Sequence, residues 1–372
     1  MIVSGEWLDR AEPLLRGLTA AGYQAYAVGG AVRNAILGLP VADVDLATSA
    51  TPEQVTVVAD GMGLRVIPTG ISHGTVTVSG LEVTTFRRDV ETDGRHAVVA
   101  FSSDIVQDAA RRDFTMNALY ADADGLVIDP LGGMDDLLAR RLRFVGDAAQ
   151  RITEDYLRIL RYFRFHAIYA DHGFDSDTLA AISDNLAGLE TLSRERIGAE
   201  IRKLLAANDP APCINTMAQT GVLRCVLPGS DPQFLAPLVH IAADAPPSWL
   251  ARLAVMGGQD VQAALRLSKA EMDIYQTLRT EIGTVTRPAA LGWKFGRASA
   301  VDVIHSRAAM FSTPLPQDWS TDIDRGADAT CPITAADLMP ALSGPALGQR
   351  LRELQNTWLQ SDLTLTKAQL LS

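Results

Sequence analysis

Hydrophobic and polar residues follow two different rhythms along the chain. In roughly the first 140 residues, short apolar runs typical of strands alternate with amphipathic stretches typical of helices. Helices are predicted at residues 7–20, 31–37 and 52–60, and strands at residues 24–28, 41–47, 75–78 and 81–86. Ser79 and Gly80 separate the last two strands and are a hairpin signal. The sheet is therefore predicted to be mixed, with helices flanking it.

The pattern changes after Val145, where strand signals almost vanish. Ile152, Leu157, Leu160 and Phe163 fall near the apolar stripe of one predicted helix. Further helices are predicted at residues 193–208, 210–226, 249–282 and 333–359. The fold class predicted from this pattern is an α/β head followed by an elongated, all-α remainder.

Composition places the chain among globular proteins and excludes a disordered or collagen-like chain. Of its 372 residues, 47% are hydrophobic and 21% are charged. No apolar run is long enough to span a membrane, and no basic segment followed by an apolar run opens the chain. Three cysteines without a Cys-x-x-Cys pair argue against a disulfide framework or a thiolate zinc site. We expect a cytoplasmic protein without a membrane or protein partner.

The net charge of −11 would by itself argue against a nucleic-acid partner. However, residues 140–164 contain seven arginines and three acidic residues, whereas the whole chain has four lysines. Guanidinium groups suit bidentate contacts with phosphates and bases. This arginine-rich stretch therefore keeps a nucleic-acid or nucleotide partner open.

A glycine pair and two aspartates form the first candidate constellation. Gly29 and Gly30 lie between a predicted strand and helix, where backbone amides can approach a phosphate, and Arg33 follows one turn later. Asp43 and Asp45 are two apart on a predicted strand, so both carboxylates should project from one face and could hold Mg²⁺. Separately, a glycine pair is most often a tight turn, and Asp-x-Asp is common at solvated edges.

A second constellation is the run Arg111-Arg112-Asp113. The arginine pair could bind phosphate while Asp113 accepts a hydrogen bond from a sugar hydroxyl. The residues alone favour a simpler interpretation, namely a surface ion pair at a helix end.

The third constellation is Asp155 and Arg158, three residues apart on a predicted helix and hence neighbours on one face. Cytosine and adenine each present an amino donor beside an unprotonated ring nitrogen, which matches a carboxylate acceptor and a guanidinium donor. Uracil and guanine present the reverse order and would be rejected. The alternative is an ordinary intrahelical ion pair. Arg161 and Arg164 continue the same line of the helix.

Several ordered motifs between about residues 26 and 205 carry a family resemblance. They include VGGAVRNAILG, DVDLATSATPEQV, RRDFTMNAL, RITEDYLRILRYFRF and SRERIGAEIRKLL. This series resembles the class II nucleotidyltransferases of the polymerase-beta superfamily, which comprise CCA-adding tRNA nucleotidyltransferases and bacterial poly(A) polymerases. Asn34 departs from the aspartate usual in the family.

The resemblance implies an enzyme that adds C, C and A to the 3′ end of tRNA from CTP and ATP without a nucleic-acid template. It implies Asp43 and Asp45 as catalytic ligands of Mg²⁺, and it makes Asp155 and Arg158 an amino-acid template for the base. The nucleotide-binding residues implied by it or by the patterns above are Gly29, Gly30, Arg33, Arg112, Asp113, Asp155, Arg158, Arg161 and Arg164. Glu82 is a weaker candidate for a third carboxylate.

By analogy with the family, residues 1–140 are the predicted head, 141–207 the neck, 208–290 the body and 291–372 a tail that contacts tRNA. Residues 87–96 resemble a flexible loop needed for the final A, in which Arg87, Asp89 and Arg95 could switch the site. Two alternatives stay open, a poly(A) polymerase and a catalytically silent RNA-binding homologue. Residues 301–372 carry five basic and eight acidic residues, unlike the basic extension of many poly(A) polymerases.

Overall fold

A computed structural model describes residues 1–93, 96–242, 245–339 and 341–372. The chain divides into two compact units. The first contains residues 1–196 and 220–222, and the second contains residues 197–219 and 223–372. The finer division into head, neck, body and tail stays a prediction.

The first unit contains a mixed sheet, as the sequence predicts. The strands of the chain are β1 (Ala25–Val28), β2 (Asp45–Thr48), β3 (Val66–Gly70), β4 (Thr75–Val78), β5 (Leu81–Thr85), β6 (Arg87–Asp93), β7 (His96–Phe101), β8 (Tyr120–Ala121) and β9 (Val127–Ile128). Within the described ranges, seven of them form one sheet in the order β3-β4-β5-β2-β1-β8-β9. The β2–β5 pair is parallel, and the other pairs of this sheet are antiparallel.

Helices flank this sheet, and among the described residues after β9 the regular elements are helices. Those of the first part of the chain are α1 (Glu6–Ala20), α2 (Gly30–Ile36), α3 (Pro52–Gly61), α4 (Ile105–Ala110), α5 (Gly133–Leu138), α6 (Ala148–Glu154), α7 (Leu157–Tyr169) and α8 (Ser176–Asp184). The hydroxyl of Thr51 accepts from the backbone N–H of Gln54, and Pro52 occupies the first turn, which explains where α3 begins.

The later helices are α9 (Arg194–Leu205), α10 (Ala211–Gln219), α11 (Val222–Val226), α12 (Leu235–Ile241), α13 (Trp249–Met256), α14 (Val261–Leu265), α15 (Lys269–Ile282), α16 (Pro288–Phe311), α17 (Trp319–Asp328), α18 (Gly344–Gln360) and α19 (Lys367–Leu371). The single helix predicted at residues 249–282 is wrong. Gly257 and Asp260 have positive φ angles of 67° and 42°, which end one helix before the next begins.

Apolar side chains from several elements hold the sheet and its neighbours together. A core cluster in the first unit contains Val28, Ala47, Phe86, Ala109, Ala118, Tyr120 and Val145. A cluster in the second unit contains Ala290, Ile333, Leu338, Leu354, Trp358, Leu359 and Leu370. Among the residues that the structure describes, no helix has the length and apolar character needed to cross a membrane.

The sequence predicts a strand at residues 41–47, but β2 begins only at Asp45. Its partner β1 ends at Val28, which pairs with Asp45, and Gly29 then turns away with φ at 71°. On the other side, β5 begins at Leu81, directly after the hairpin, and its Glu82 pairs with Asp45. Without a partner on either side, Asp43 lies outside the strand, and the prediction that both aspartates share one strand face is wrong.

A loop conformation at residues 87–96 is also wrong for the part that the structure describes, whereas the implied role of this segment in adding the final A stays a prediction. The backbone of β6 pairs with β7 in an antiparallel register that joins Arg87 to Phe101. The β-branched Val98 and Val99 lie in β7, and such residues favour strands. Arg95, named above as part of a switch, lies outside the described residues, as does the side chain of Asp89.

We predict that Gly133→Ala disturbs the turn next to the site. A methyl group at Gly133 would lie 2.2 Å from the carbonyl oxygen of Thr115, in the short 3₁₀ turn Thr115–Asn117. Because backbone atoms must move to admit it, we expect a loss of about 1–3 kcal/mol in the free energy of unfolding. Urea denaturation followed by circular dichroism measures this loss.

Gly61→Ala is the matched control, since a methyl group there meets no atom within 4 Å. Gly61 ends α3, so this variant should be as stable as the parent or slightly more stable. Equal stability of Gly133→Ala and the parent would contradict the close packing of α5 on this turn.

Candidate active site

A cavity of about 400 Å³ in the first unit brings most of the predicted site residues together. Nine of the eleven predicted residues line it, namely Gly29, Gly30, Arg33, Asp43, Asp45, Arg112, Asp113, Arg161 and Arg164. Asn34, Asn117, Phe165 and residues 40–42 complete the lining. Asp155 and Arg158 are absent from it. The cavity thus combines two carboxylates with several guanidinium groups.

Two carboxylates line one part of the cavity, and a third lies close to one of them. Asp43 and Asp45 line it, and the parallel register of β2 and β5 pairs Asp45 with Glu82. Although Asp45 stays accessible to solvent, the walls of the cavity partly desolvate its carboxylate. This desolvation, together with the negative charges of Glu82 and Asp43, raises the pKa of Asp45 above its ordinary value. This part of the cavity therefore favours a cation.

The donor set in this part of the cavity fits Mg²⁺ shared with a substrate. Mg²⁺ prefers oxygen ligands and is usually held by one or two carboxylates together with water and phosphate oxygens. Asp43 and Asp45 provide two such carboxylates. No cluster of three or more histidine, cysteine or acidic side chains with metal-binding geometry occurs in the described parts of the chain.

Arg33 is buried, with 6% of its surface exposed, yet it reaches the cavity from α2. Its guanidinium donates to the Oδ1 atoms of Asn34 and Asn117 and, at 2.6 Å, to the hydroxyl oxygen of Tyr169. The Tyr169 ring centroid lies 4.0 Å from the guanidinium carbon. Burial lowers the pKa of Arg33, and Tyr169 and Asp113 offset part of that effect. Because the directly bonded groups are neutral, the charge stays available to an anion.

Asp108 is a residue that the sequence analysis missed. It is fully buried and accepts hydrogen bonds from Arg111 at 2.6 Å, from Arg112 at 2.8 Å and from the Tyr120 hydroxyl at 2.8 Å. Burial alone would raise the pKa of Asp108, but the two guanidiniums hold it below its ordinary value. The simpler interpretation of this run, a surface ion pair, is therefore wrong. One carboxylate facing two guanidiniums leaves a net positive charge.

Asp113 is held by donors from three residues. Its Oδ1 accepts from the Phe114 backbone N–H and the Asn117 side chain, both at 2.9 Å. Its Oδ2 accepts from Arg161 Nε at 2.7 Å and Nη2 at 2.5 Å. Although burial opposes it, these groups lower the pKa of Asp113. Asp113 thus orients Arg161 beside the cavity, and its predicted contact with a sugar hydroxyl stays a prediction.

Asp155 and Arg158 do not share one helix, so that prediction is wrong. Asp155 ends α6 with extended backbone (φ −152°, ψ 104°), and α7 begins only at Leu157. Aspartate favours such a junction, because its carboxylate accepts from the exposed backbone N–H of Leu157 at 3.1 Å. Arg158 instead pairs with Glu154 at 2.5 Å.

Arg161 and Arg164 both belong to α7 and line the cavity around Phe165. Their guanidinium carbons lie 5.2 Å and 4.4 Å from the centroid of that ring. The ring thereby supports the two cations beside the cavity.

Two family models match this chain. "Poly A polymerase head domain" matches residues 25–143, which contain the mixed sheet and most of the cavity. "Probable RNA and SrmB- binding site of polymerase A" matches residues 173–234. Sheet, cavity and the first match define the class of the first unit, a head of the poly(A) polymerase type.

Related proteins and solved structures narrow this class of protein to a particular family. The CCA-adding enzyme of Streptococcus sanguinis is 35% identical over 94% of this chain and 92% of that protein. The mitochondrial CCA tRNA nucleotidyltransferase 1 of Homo sapiens is 47% identical over 48% of this chain. The match covers 43% of the human protein, so the chain spans less than half the length of that relative.

The crystal structure of the Bacillus stearothermophilus CCA-adding enzyme in complex with CTP is similar to this chain, with a TM-score of 0.76 and 31% identity. The match covers 96% of this chain and 94% of that one. The Thermotoga maritima CCA-adding enzyme complexed with tRNA shares the fold, with a TM-score of 0.68 at 18% identity. The chain belongs to the family of CCA-adding enzymes.

We predict that Asp45→Asn raises the melting temperature of the metal-free protein at pH 7.5. The raised pKa of Asp45 means that its ionised form opposes folding. The difference from the parent should shrink as the pH falls through that raised pKa, because the parent carboxyl then takes up a proton. Thermal unfolding in EDTA at several pH values measures the effect.

Asp60→Asn removes one negative charge from an exposed position on α3 and is the control. A lower melting temperature for Asp45→Asn than for the parent at pH 7.5 would contradict the charge crowding around Asp45.

Proposed function

We propose that this chain adds C, C and A to the 3′ end of tRNA without a nucleic-acid template, using CTP and ATP and releasing pyrophosphate. The main observation is the cavity, in which Asp43 and Asp45 face guanidinium groups of Arg33, Arg112 and Arg161. This is the charge distribution that a nucleoside triphosphate and a divalent cation require. Membership of the CCA-adding enzyme family supports the same activity.

In the proposed reaction, the terminal ribose oxygen of tRNA forms a bond to the α-phosphorus of the nucleotide. The bond from that phosphorus to the pyrophosphate oxygen breaks and pyrophosphate leaves, while the proton of the attacking hydroxyl passes to solvent. Asp43 and Asp45 are the proposed ligands of Mg²⁺, which when bound activates the attacking hydroxyl and neutralises charge on the leaving group. The contribution of the protein is chiefly positioning and charge neutralisation.

The triphosphate is proposed to lie against Gly29 and Gly30, with Arg33 bound to its oxygens. Gly29 adopts a positive φ of 71°, which glycine tolerates, and a methyl group there would lie 3.6 Å from Nη1 of Arg112. Arg112, held by Asp108, is proposed to contact phosphate, and Asp113 to contact the ribose. Arg161 and Arg164 are proposed to contact the same nucleotide from α7.

Asp155 and Arg158 are proposed to recognise the base. In the protein alone they lie outside the lining of the cavity. Arg158 donates to Glu154 and to the backbone carbonyls of Arg151 at 2.8 Å and Arg111 at 3.1 Å. The carboxylate and guanidinium supply the acceptor and donor that cytosine and adenine require. Residues 291–372 are the proposed tRNA-contacting tail, and a cytoplasmic location stays a prediction.

The decisive assay supplies tRNA lacking its terminal CCA together with labelled CTP and ATP. We expect extension by three nucleotides, and we expect Asp43→Asn to lower the rate by roughly a hundredfold or more. The exposed Asp60→Asn should keep the parent rate. A long A tail on a generic RNA supplied with ATP alone would favour the poly(A) polymerase, and the absence of any pyrophosphate release would favour a silent RNA-binding protein.

We predict that Asp155→Ala relaxes base selection. Loss of the carboxylate removes the acceptor for the amino group of C and A and the repulsion of the carbonyl oxygen of U. The ratio of kcat/KM for CTP to that for UTP should fall by about tenfold or more. Mg²⁺ dependence of the residual activity should change little. An unchanged CTP-to-UTP ratio in Asp155→Ala would remove this residue from base recognition.

A further inference from the structure

Asp155 is bound by an arginine from a distant part of the sequence. Arg196 Nη2 lies 2.7 Å from Asp155 Oδ2, and both residues belong to the first unit. The other carboxylate oxygen, Oδ1, accepts from the backbone N–H of Leu157 at 3.1 Å. A carboxylate oxygen can accept two hydrogen bonds, so each oxygen of Asp155 can still accept one more donor. The carboxylate is thus fixed in orientation while it keeps capacity to accept.

The segment that carries Arg196 is itself fixed against the junction of α6 and α7. The hydroxyl of Ser193 accepts from the backbone N–H of Arg196 at the start of α9. A methyl group placed on Gly188 would lie 2.0 Å from the ring of Tyr156, the residue that follows Asp155. Direct contact of this kind holds residues 186–196 next to Asp155. Arg196 consequently approaches Asp155 from a preformed position.

Each of the two template side chains has its own oppositely charged partner. Asp155 pairs with Arg196, whereas Arg158 pairs with Glu154 at 2.5 Å. Without such partners, a carboxylate and a guanidinium three residues apart would attract each other and consume the acceptor and donor that a base must meet. The two separate pairs keep Asp155 and Arg158 apart.

We propose that Arg196 is a positioning residue for base selection, and that it fixes Asp155 as a hydrogen-bond acceptor separate from Arg158. This inference rests on the proposed function and deepens it. Arg196 acts through Asp155 and needs no contact of its own with the nucleotide. Its loss should therefore reduce discrimination between CTP and UTP more than it reduces the stability of the fold, since its side chain is 35% exposed.

The test compares Arg196→Gln, Arg196→Lys and Arg194→Gln in the full chain. Each variant extends tRNA lacking CCA with CTP alone or UTP alone, and kcat and KM are measured separately. In Arg196→Gln we expect the ratio of kcat/KM for CTP to that for UTP to fall by roughly tenfold, mainly through a higher KM for CTP. Arg196→Lys keeps a cation and should retain more of the ratio. Arg194→Gln removes the same charge from an exposed site on α9 and should match the parent.

A double-mutant cycle separates action through Asp155 from a merely structural role. In an Asp155→Asn background, the carboxylate is gone, so adding Arg196→Gln should leave the CTP-to-UTP ratio unchanged. A structural role would instead lower the rates with both nucleotides equally. An unchanged ratio in both Arg196→Gln and Arg196→Lys, or full additivity with Asp155→Asn, would overturn the proposal. If Arg196→Gln does not fold, Arg196→Lys and its combination with Asp155→Asn give the same decision.

Nucleotide incorporation by the parent protein tests the proposed function independently of Arg196. A parent protein that incorporates neither CTP nor ATP contradicts the CCA-adding activity itself. A parent that incorporates CTP but whose selection ignores Arg196 contradicts only the role of this ion pair.

Discussion

Two buried carboxylates, Asp108 and Asp113, hold two arginines of the cavity, Arg112 and Arg161, in place. Asp108 binds Arg111 and Arg112, and Asp113 binds Arg161. A buried carboxylate without a counter-charge costs several kcal/mol, so each of these carboxylates depends on the arginines that it binds. The dependence is mutual, because long guanidinium side chains would otherwise lose little by moving into water. Each arginine thus presents its remaining donors in a fixed direction.

This mutual constraint explains how an acidic chain forms a cavity suited to a polyanion. The chain carries a net charge of −11, yet four arginines line the cavity, namely Arg33, Arg112, Arg161 and Arg164. Asp43, Asp45 and Glu82 crowd negative charge together. Asp43 and Asp45 line the same cavity of about 400 Å³ as these guanidinium groups. Because they are set during folding, little reorganisation is needed when charge develops in a reaction.

Local sequence rules predicted the features that depend on near neighbours. Such rules predicted the start of α3 at Thr51–Pro52, the hairpin at Ser79–Gly80 and the mixed sheet, because caps, turns and alternation act over a few residues. Motif order also placed nine of eleven predicted site residues around one cavity. The first residue of β2 could not be predicted in this way, because it depends on where the partner strand β1 ends.

Contacts over long sequence distances account for what was missed in the site. Tyr169 reaches Arg33 across 136 positions, and Arg196 reaches Asp155 across 41. No periodicity or spacing rule links such pairs. The error on Asp155 and Arg158 has a different origin: periodicity continues smoothly through the junction of α6 and α7, whereas the aspartate interrupts the helix by capping the next one.

The neutral surroundings of Arg33 have a consequence for the energetics of the whole head. Its hydrogen bonds within the described structure go to amide and phenol oxygens, and the charge of Asp113 offsets only part of the cost of its burial, so an anion that enters the cavity can stabilise this cation further. A species that binds only the native state shifts the folding equilibrium toward it by mass action. Occupancy of the cavity by an anion and resistance to unfolding are therefore linked in this protein, in part through Arg33.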